Sequence, residues 1–469
     1  MMDDKKEFLK GSSWLLTSNF LVLAAGFIAR PLIARLLGLT EYAIFALVLS
    51  TGTALSGYLF LTLNAGIAYH VARAPRRAGE LVSTSLAFLI GFSALLAVPA
   101  YFFLQWVVPE LGFNGFIASF ALAFALATLA ILQAMEQGLR KFKALSITAS
   151  SSTLLAAALS LAGASLFVEG WVAGVLRAAA ILAVSVAGLA KLGRFGTISR
   201  KAFNDLWAYS RPLALAGLGS TLIVVADKYF IAAFSKLESV APYDISMVLV
   251  SAFLPIGVSL ANVMMPNIAR NNKKAAAYYN RVAAVNAALL STAGIALYYY
   301  ADLVINILVG AEYVAEGVPL LRVLSLALPI MAFKNLNGST FRGLGETKRA
   351  AAYAFSLITA NIALNALFVP AYGAFGAAAA TLLTYVVVLG ASTLDLHLRV
   401  GVGVKQALLQ LALFAGFAGA YWLFDEPGFV VKTLCLVAFA FATLALQRKL
   451  VGEVIETVKS LSVFGGNKK

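Results

Sequence analysis

Fourteen long apolar stretches constrain what this chain can fold into more than any other feature of its sequence. Each is close to the roughly 20 residues that a helix needs to cross about 30 Å of hydrocarbon. None shows the two-residue alternation of a barrel strand, so all are predicted to be helices. The chain is therefore predicted to be an all-α polytopic membrane protein with about 14 transmembrane helices. The predicted spans are 13–34, 42–66, 81–106, 116–135, 146–168, 171–190, 212–234, 243–266, 282–300, 318–337, 350–370, 374–394, 405–424 and 429–447.

The composition excludes the soluble classes of protein. Of 469 residues, 61% are hydrophobic and 12% are charged, whereas soluble domains carry roughly 25% charged residues. The one cysteine, Cys435, excludes an internal disulfide and a cysteine-built metal site. Two histidines, His70 and His397, are too few for a zinc or catalytic cluster, and we interpret His70 as an interfacial residue rather than a proton relay. No phosphate-binding loop of an ATPase is present. We therefore expect no metal and no cofactor. An enzyme would have to be a membrane glycosyltransferase or polymerase, which usually needs a larger outward loop than this sequence has, so we expect a protein that is not an enzyme.

The distribution of basic residues predicts the orientation in the membrane. Most of the 36 lysines and arginines fall in the loops on the side of the two termini. The opposite loops are short and carry acids such as Glu110, Glu169 and Asp302. Because cytoplasmic loops are enriched in Lys and Arg, we expect both termini in the cytoplasm and a multi-pass protein of the bacterial inner (plasma) membrane. The same bias explains the net charge of +15 without a nucleic-acid partner.

The chain repeats itself after about 201 residues, as Tyr42 and Tyr243 at the starts of spans 2 and 8 illustrate. Each copy holds six spans, an even number, so the copies enter from the same side and are expected to relate by a pseudo-two-fold axis along the membrane normal. In carriers built this way, the substrate path runs between the two lobes. The predicted domains are an N-terminal lobe (1–190), a cytoplasmic inter-lobe linker (191–211), a C-terminal lobe (212–398), and spans 13 and 14 with a cytoplasmic tail (399–469).

A few charged residues fall inside predicted spans, where each costs roughly 2.5–3.5 kcal/mol on insertion scales and therefore needs a reason. Arg30 in span 1 and Lys228 in span 7 occupy equivalent positions in the repeat and are predicted to face each other across a cationic inter-lobe cavity. Pro31 is expected to kink span 1. Arg177 in span 6 has no obvious acidic partner in the sequence, which favours a water-filled cavity.

Three further charges in the spans have two explanations each. Arg35 and Arg322 lie near the membrane surface, where snorkelling explains them as well as substrate binding does. Asp227 is the deep acid of the sequence, and either a structural pairing or ion coupling accounts for it. The summed charge of these positions is positive, which predicts an anionic substrate. The candidate substrate-binding residues are Arg30, Lys228, Arg177, Arg35 and Arg322.

Short motifs along almost the whole chain stand in the order and spacing of a known family. The first group is Ala34-Arg35-Leu36-Leu37-Gly38-Leu39 followed by Glu41, Tyr42 and Ala43. The second is Gly343-x-Gly345-x-x-Lys348, then Asn361 and Asn365, then Val369-Pro370-x-Tyr372-Gly373-x-x-Gly376. Together they resemble the polysaccharide flippases of the multidrug/oligosaccharidyl-lipid/polysaccharide (MOP) exporter superfamily. Ala43 departs from the glycine frequent there, and many members have twelve spans, which leaves the role of spans 13 and 14 open.

The resemblance implies a flippase for undecaprenyl-pyrophosphate-linked oligosaccharide, such as an O-antigen or related surface polysaccharide unit. Alternating access would carry the substrate from the cytoplasmic to the periplasmic leaflet, with the pyrophosphate at Arg30, Arg177 and Lys228. Asp227 is then the candidate for H⁺ or Na⁺ coupling, and a polysaccharide polymerase or glycosyltransferases are the expected protein partners. A lipid II flippase, a cation-coupled multidrug antiporter of the same superfamily and a non-transporting assembly protein stay open as alternatives.

Overall fold

The computed structural model describes residues 2–403, 405–424 and 428–447, and helices are the only regular secondary structure in these ranges. The predicted all-α polytopic class is confirmed. The predicted tail from 448 onward lies outside the described residues. The α-helices are α1 (Met2–Phe60), α2 (Leu63–Arg73), α3 (Ala78–Val107), α4 (Gly112–Gly138), α5 (Phe142–Phe167), α6 (Gly170–Leu192), α7 (Arg200–Phe234), α8 (Val240–Ser251), α9 (Leu254–Arg270), α10 (Ala275–Tyr299), α11 (Ala301–Leu308), α12 (Val314–Gly343), α13 (Thr347–Val400), α14 (Lys405–Ala420) and α15 (Phe429–Leu446).

Each predicted span coincides with a helical segment. By length and composition, nine helices in the described ranges can cross a membrane, or ten if the pair α8 and α9, bent by 42°, is one span. Two of the long helices, α1 and α13, each contain two predicted spans and a break between them. Predicted span 2 contains a break at Leu61 and Thr62, which both have positive φ. Helix α2 begins after this break and extends beyond the predicted end of the span at 66.

The break in α1 lies at Gly38, which has φ 72° and ψ −177°, a conformation open essentially to glycine alone. Before the break, Ser18 donates to the carbonyl of Ser146 near the start of α5. After it, Glu41 accepts from the backbone N–H of Gly170 at the start of α6. Helix α5 runs from the first of these contacts to the second. The first arm of α1 therefore runs parallel to α5, and the second arm turns back alongside α6.

A similar reversal occurs in α13 at Gly373, with φ 56° and ψ −138°. Arg349 in its first arm lies 2.9 Å from the carboxylate of Asp395 in its second arm, and Tyr353 donates to the same carboxylate. Both α1 and α13 are thus helical hairpins. Gly38 lies between predicted spans 1 and 2 and Gly373 between predicted spans 11 and 12, which are different places in the six-span repeat.

The chain divides into two compact units. Unit 1 comprises residues 1–245, 308–313 and 365–377, and unit 2 comprises 246–307, 314–364 and 378–469. The core of unit 1 includes Leu63, Leu81, Ile131 and Leu206, contributed by α2, α3, α4 and α7. In unit 2, the last two helices take part in a core of their own, where Phe414 and Phe439 pack with Ile295 and Tyr299 of α10.

The stretch predicted as a linker at 191–211 is helical from Arg200 onward. Asp205 in this first part of α7 accepts a hydrogen bond from Arg77, and its backbone carbonyl lies 3.1 Å from His70 Nε2. Tyr209 stacks on Tyr69, with ring centroids 4.4 Å apart. The non-helical part is therefore shorter than predicted, because the basic segment starts a helix that packs on α2. The division into two six-helix lobes stays a prediction.

The glycine turn in α1 leads to a stability prediction. Gly38→Ala forces a side chain into a conformation that costs about 1–3 kcal/mol, so the melting temperature of the detergent-solubilised protein should fall. Gly91→Ala is the matched control, since Gly91 lies inside helix α3 with no atom within 4 Å of its added β-carbon. That variant should melt at or above the wild-type temperature. Equal melting of the two variants would contradict the role given to the turn.

The predicted orientation can be tested with single cysteines introduced into a Cys435→Ser background. Ser165→Cys near the end of α5 should react with a membrane-impermeant maleimide in intact cells. Lys201→Cys near the start of α7 should react only after the cells are permeabilised. Both positions are exposed, so labelling reports the side of the membrane rather than burial. Labelling of Lys201→Cys in intact cells, with Ser165→Cys labelled only after permeabilisation, would show that the orientation is the opposite of the predicted one.

Candidate substrate-binding site

The hairpin of α1 and the helices α7 and α8 bring several membrane charges of unit 1 together. Arg30 lies on the first arm of α1, one residue before Pro31, which the helix accommodates. Lys228 lies late in α7, and Asp244 lies in the second turn of α8. The group formed by Arg30, Tyr42, Lys228 and Asp244 is called the Asp244 cluster below.

Asp244 is the centre of this cluster and is only 1% exposed. Its Oδ2 lies 3.5 Å from Arg30 Nη1 and accepts a hydrogen bond of 2.9 Å from Tyr42. Its Oδ1 forms an ion pair with Lys228, whose Nζ also lies 2.6 Å from Ser50 Oγ. One carboxylate therefore serves two cations and a phenol, which leaves the cluster with an excess positive charge.

Lys228 and its neighbour Asp227 have different partners. Consecutive residues on a helix point about 100° apart. Lys228, 8% exposed, is bound to Asp244 and Ser50. Asp227 accepts hydrogen bonds from the Tyr243 hydroxyl and from Asn365 Nδ2, the latter at 2.7 Å. Asp227 and Lys228 thus take part in two different polar groups, and each group includes one residue near the start of α8.

Arg177 adds a further positive charge near the cluster. It lies in the second turn of α6, half-buried, and within electrostatic range of Arg30 and Tyr42. It has no acidic partner among the described residues. Arg30 keeps 32% of its side chain exposed, so it is the most accessible cation of the cluster.

The other two candidate residues lie apart from this cluster. Arg35 is exposed, one turn before the Gly38 break. Arg322 belongs to unit 2, where its guanidinium stacks on the Tyr421 ring at 4.5 Å from the ring centroid. The structure therefore brings Arg30, Lys228 and Arg177 together and assigns Arg322 to a different site.

Asp244 is the residue that sequence reasoning missed. Asp227 was expected to be the one deep acid, but Asp244 is more deeply buried, and Glu136 in α4 is also only 3% exposed. An acid inside the apolar run from Val240 to Leu254 was a usable signal, because an intramembrane charge requires a partner. The predicted span 8 begins at 243, which places Asp244 at the membrane surface, where a charge needs no partner.

The first sequence motif now has a structural explanation. Gly38 makes the turn, Glu41 caps the start of α6, and Tyr42 binds Asp244. Gly170 at the start of α6 fits closely, since an added β-carbon would overlap the backbone carbonyl of Glu41. The motif therefore positions the Asp244 cluster and contributes Tyr42 to it.

The arrangement can bind an anion. A guanidinium carries five N–H donors in a fixed plane and binds carboxylate or phosphate through two of them at once. Arg30 makes one ion pair and Arg177 makes none among the described residues, so both retain donors. Among the described residues, no group of three or more His, Cys, Asp or Glu side chains could hold a metal ion.

Comparison with known sequences gives a family match and one distant relative. Residues 8–272, more than half of the chain, match the profile of a family described as polysaccharide biosynthesis protein. An uncharacterised membrane protein (MJ1068) of Methanocaldococcus jannaschii is 24% identical over 193 residues, which cover 40% of this chain. The matched region spans only 38% of that relative's length.

Comparison with solved structures shows the same fold. The lipid II flippase MurJ in an inward closed conformation aligns with a TM-score of 0.71 at 13% identity, over 93% of this chain and 99% of that one. An inward-facing multidrug resistance MATE transporter of the MOP superfamily aligns at 0.64 with 16% identity, over 81% and 94%. A MOP superfamily transporter from Pyrococcus furiosus, whose binding pocket is described as of reverse polarity, aligns at 0.55 with 15% identity, over 83% and 95%.

The shared carboxylate predicts a specific pattern of stabilities. Asp244→Asn leaves Lys228 and Arg30 without their counter-charge, and removing one partner of a buried ion pair costs about 3–5 kcal/mol. The melting temperature should therefore fall sharply. The double variant Asp244→Asn/Lys228→Met removes the most buried cation as well and should recover most of the loss. Additive effects of Asp244→Asn and Lys228→Met would contradict the coupling between the two residues.

Proposed function

The chain belongs to the polysaccharide biosynthesis protein family, and we propose that it is a flippase for a polyprenyl-pyrophosphate-linked oligosaccharide. The family and the fold are those of transporters rather than enzymes. The substrate is an undecaprenyl-linked O-antigen or related surface polysaccharide unit, and its diphosphate is the group that the protein binds. The protein works in the plasma membrane with both termini in the cytoplasm.

The excess positive charge around Asp244 is the observation that supports this substrate class. Arg30, Lys228 and Arg177 carry three positive charges, whereas Asp244 supplies one negative charge to the same group. An anion that enters this site gains from an electrostatic field and displaces no carboxylate from Arg177. A diphosphate suits this positively charged site because it offers several acceptor oxygens to two planar guanidinium groups.

The three cations have different roles in the proposal. Arg30 and Arg177 bind the diphosphate, since both retain hydrogen-bond donors. Lys228 is fixed by Asp244 and Ser50, and it sets the local potential and the position of Asp244. The apolar polyprenyl chain stays in the lipid, where its burial requires no protein groups.

Asp227 is the proposed coupling acid. Its carboxylate is 7% exposed and accepts hydrogen bonds from Tyr243 and Asn365, so it has neutral donors around it. A proton or a sodium ion that binds there changes the charge of α7 one residue away from Lys228. Such a change links ion binding to the anion site through a single turn of helix.

Two alternatives within the superfamily differ in substrate. A lipid II flippase also needs a cationic site for a diphosphate, so the glycan and not the site chemistry separates it from our proposal. A cation-coupled multidrug antiporter carries cationic drugs, which the positive charge around Asp244 repels. The division into two lobes joined by the linker at 191–211, with the substrate path between the lobes, remains part of the proposal.

The decisive experiment measures transport in vesicles that contain the purified protein. A fluorescent polyprenyl-diphosphate saccharide is placed in both leaflets, and a reagent that cannot cross the membrane reports how fast the inner pool becomes accessible. We expect rapid movement of the polysaccharide precursor between the two leaflets and little movement of lipid II. Faster movement of lipid II would favour that alternative, and transport of a cationic dye alone would contradict the proposal.

Arg177→Gln should abolish or strongly slow this exchange, while the amount of protein in the membrane stays at the wild-type level. Arg177→Lys should retain part of the rate, because it keeps the charge and loses the planar pair of donors. Lys191→Gln is the matched control, an exposed basic residue at the other end of the same helix. Normal exchange by Arg177→Gln would remove Arg177 from the site.

A further inference from the structure

Unit 2 contains a cavity of about 600 Å³ that the function proposed above does not use. It is formed by α11, the beginning of α12, the short helical turn after α14 and the beginning of α15. Its polar lining consists of Tyr300, Asp302, Arg322, Tyr421 and Lys432, and Phe429 adds an aromatic face. The cavity thus involves the two C-terminal helices whose role the sequence left open.

Arg322 is held in the cavity by one aromatic partner. Its guanidinium lies over the ring of Tyr421 at 4.5 Å, and its Nη2 donates to the hydroxyl of the same residue. Its Nε is buried and makes no hydrogen bond with any described residue. A buried donor without an acceptor is destabilising, so this N–H indicates an acceptor that comes from outside the chain.

Lys432 supplies the second positive charge. It is 8% exposed, and its Nζ lies 3.0 and 2.9 Å from the two carboxylate oxygens of Asp302. Burial raises the pKa of Asp302, but the hydrogen bonds from Lys432 outweigh it and hold that pKa below its usual value. Asp302 is therefore a carboxylate at neutral pH, and its side chain remains 47% exposed.

The described charges that line the cavity sum to one excess positive charge, from two cations and one carboxylate. Gly428 and Phe429, at the start of the 18-residue helix α15, also line it, and a helix start adds a partial positive charge. Arg322 and Lys432 both lie within the first three turns of helices α12 and α15, which start on the side predicted to be outer. This depth corresponds to the headgroup layer of a bilayer.

We propose that this cavity binds the phosphate group of a membrane lipid, with Arg322 and Lys432 as its ligands. The Nε of Arg322 and the third N–H of Lys432 donate to phosphate oxygens, and the rings of Tyr421 and Phe429 pack against the rest of the headgroup. The volume exceeds that of phosphate alone, so a glycerol or sugar phosphate fits. Either a bilayer phospholipid or a polyprenyl phosphate presents this group, and neither source depends on the function proposed above.

A purely structural role predicts different behaviour from a binding role. Arg322 with Tyr421 joins α12 to the end of α14, and Lys432 with Asp302 joins α15 to α11. If these contacts only hold helices together, Asp302→Asn lowers the stability of the protein and does not increase lipid binding. In a phosphate site, the same change removes the one carboxylate that competes for Lys432.

The test counts lipids retained by the full chain in native mass spectrometry after exchange into phosphatidylglycerol or into a neutral galactolipid that lacks phosphate. We expect the wild type to retain phosphatidylglycerol preferentially. Arg322→Gln and Lys432→Gln should each weaken retention about tenfold, the loss typical of one hydrogen bond to a charged group. Asp302→Asn should strengthen it, and Arg270→Gln, at an exposed position at the end of α9, should leave it unchanged.

Equal retention of both lipids by the wild type would overturn the site, as would retention by Arg322→Gln and Lys432→Gln equal to that of Arg270→Gln. Weaker retention by Asp302→Asn would indicate the structural role and overturn the site as well. Arg322→Lys guards against a folding defect, because it keeps the charge and should recover part of the affinity.

A second arm replaces phosphatidylglycerol by a polyprenyl phosphate of equal charge. Displacement of bound phosphatidylglycerol by equimolar polyprenyl phosphate would identify the isoprenoid lipid as the source, whereas its persistence would identify the bilayer phospholipid. Both results support the phosphate site. Arg177→Gln should behave as wild type here, so a failure of the transport proposal is distinguishable from a failure of this one.

Discussion

The carboxylate of Asp244 is the interaction on which the membrane part of unit 1 depends. It is buried, and it receives a guanidinium, an ammonium and a phenol from three different helical segments. Such a group cannot be left without partners in a low-dielectric environment, so the positions of α1, α7 and α8 are fixed together. The single negative charge of Asp244 does not neutralise the positive charges of Arg30 and Lys228. The excess positive charge makes the site suited to an anion.

The two glycine turns explain how side chains on two consecutive spans reach one place. Gly38 returns α1 on itself, so Arg30 on one arm and Tyr42 on the other meet the same residue of α8. Gly373 does the same for α13. In each hairpin a single glycine joins the two spans, and no loop lies between them. Each pair of spans therefore behaves as a single structural unit in which the two helices have a fixed alignment.

Hydropathy was sufficient to predict the all-α polytopic class, because a helix that crosses a membrane must satisfy its own backbone and therefore shows in the sequence as a long apolar run. The contacts of the site were predictable only in part. The positions of Arg30 and Lys228 followed from the repeat, but the expectation that they face each other could not reveal the shared acid between them. That acid stands at the edge of a span, where hydropathy is ambiguous. The environment of Arg322 was not predictable either, because it depends on how the last two helices pack against α10 and α12. Helix α7 begins at Arg200, before the predicted start of span 7 at 212. Its first turns are charged, and a charged segment next to a span is predicted as a loop.

The five-residue segment from Gly38 to Tyr42 has a further consequence for how this chain can change over evolutionary time. Glu41 reaches the start of α6, and Tyr42 reaches α8, from adjacent positions of one helical turn. One inserted or deleted residue after Gly38 would rotate both side chains by about 100° about the helix axis and move them 1.5 Å along it. Substitutions in this segment are thus permitted according to their chemistry, whereas its length is fixed by geometry.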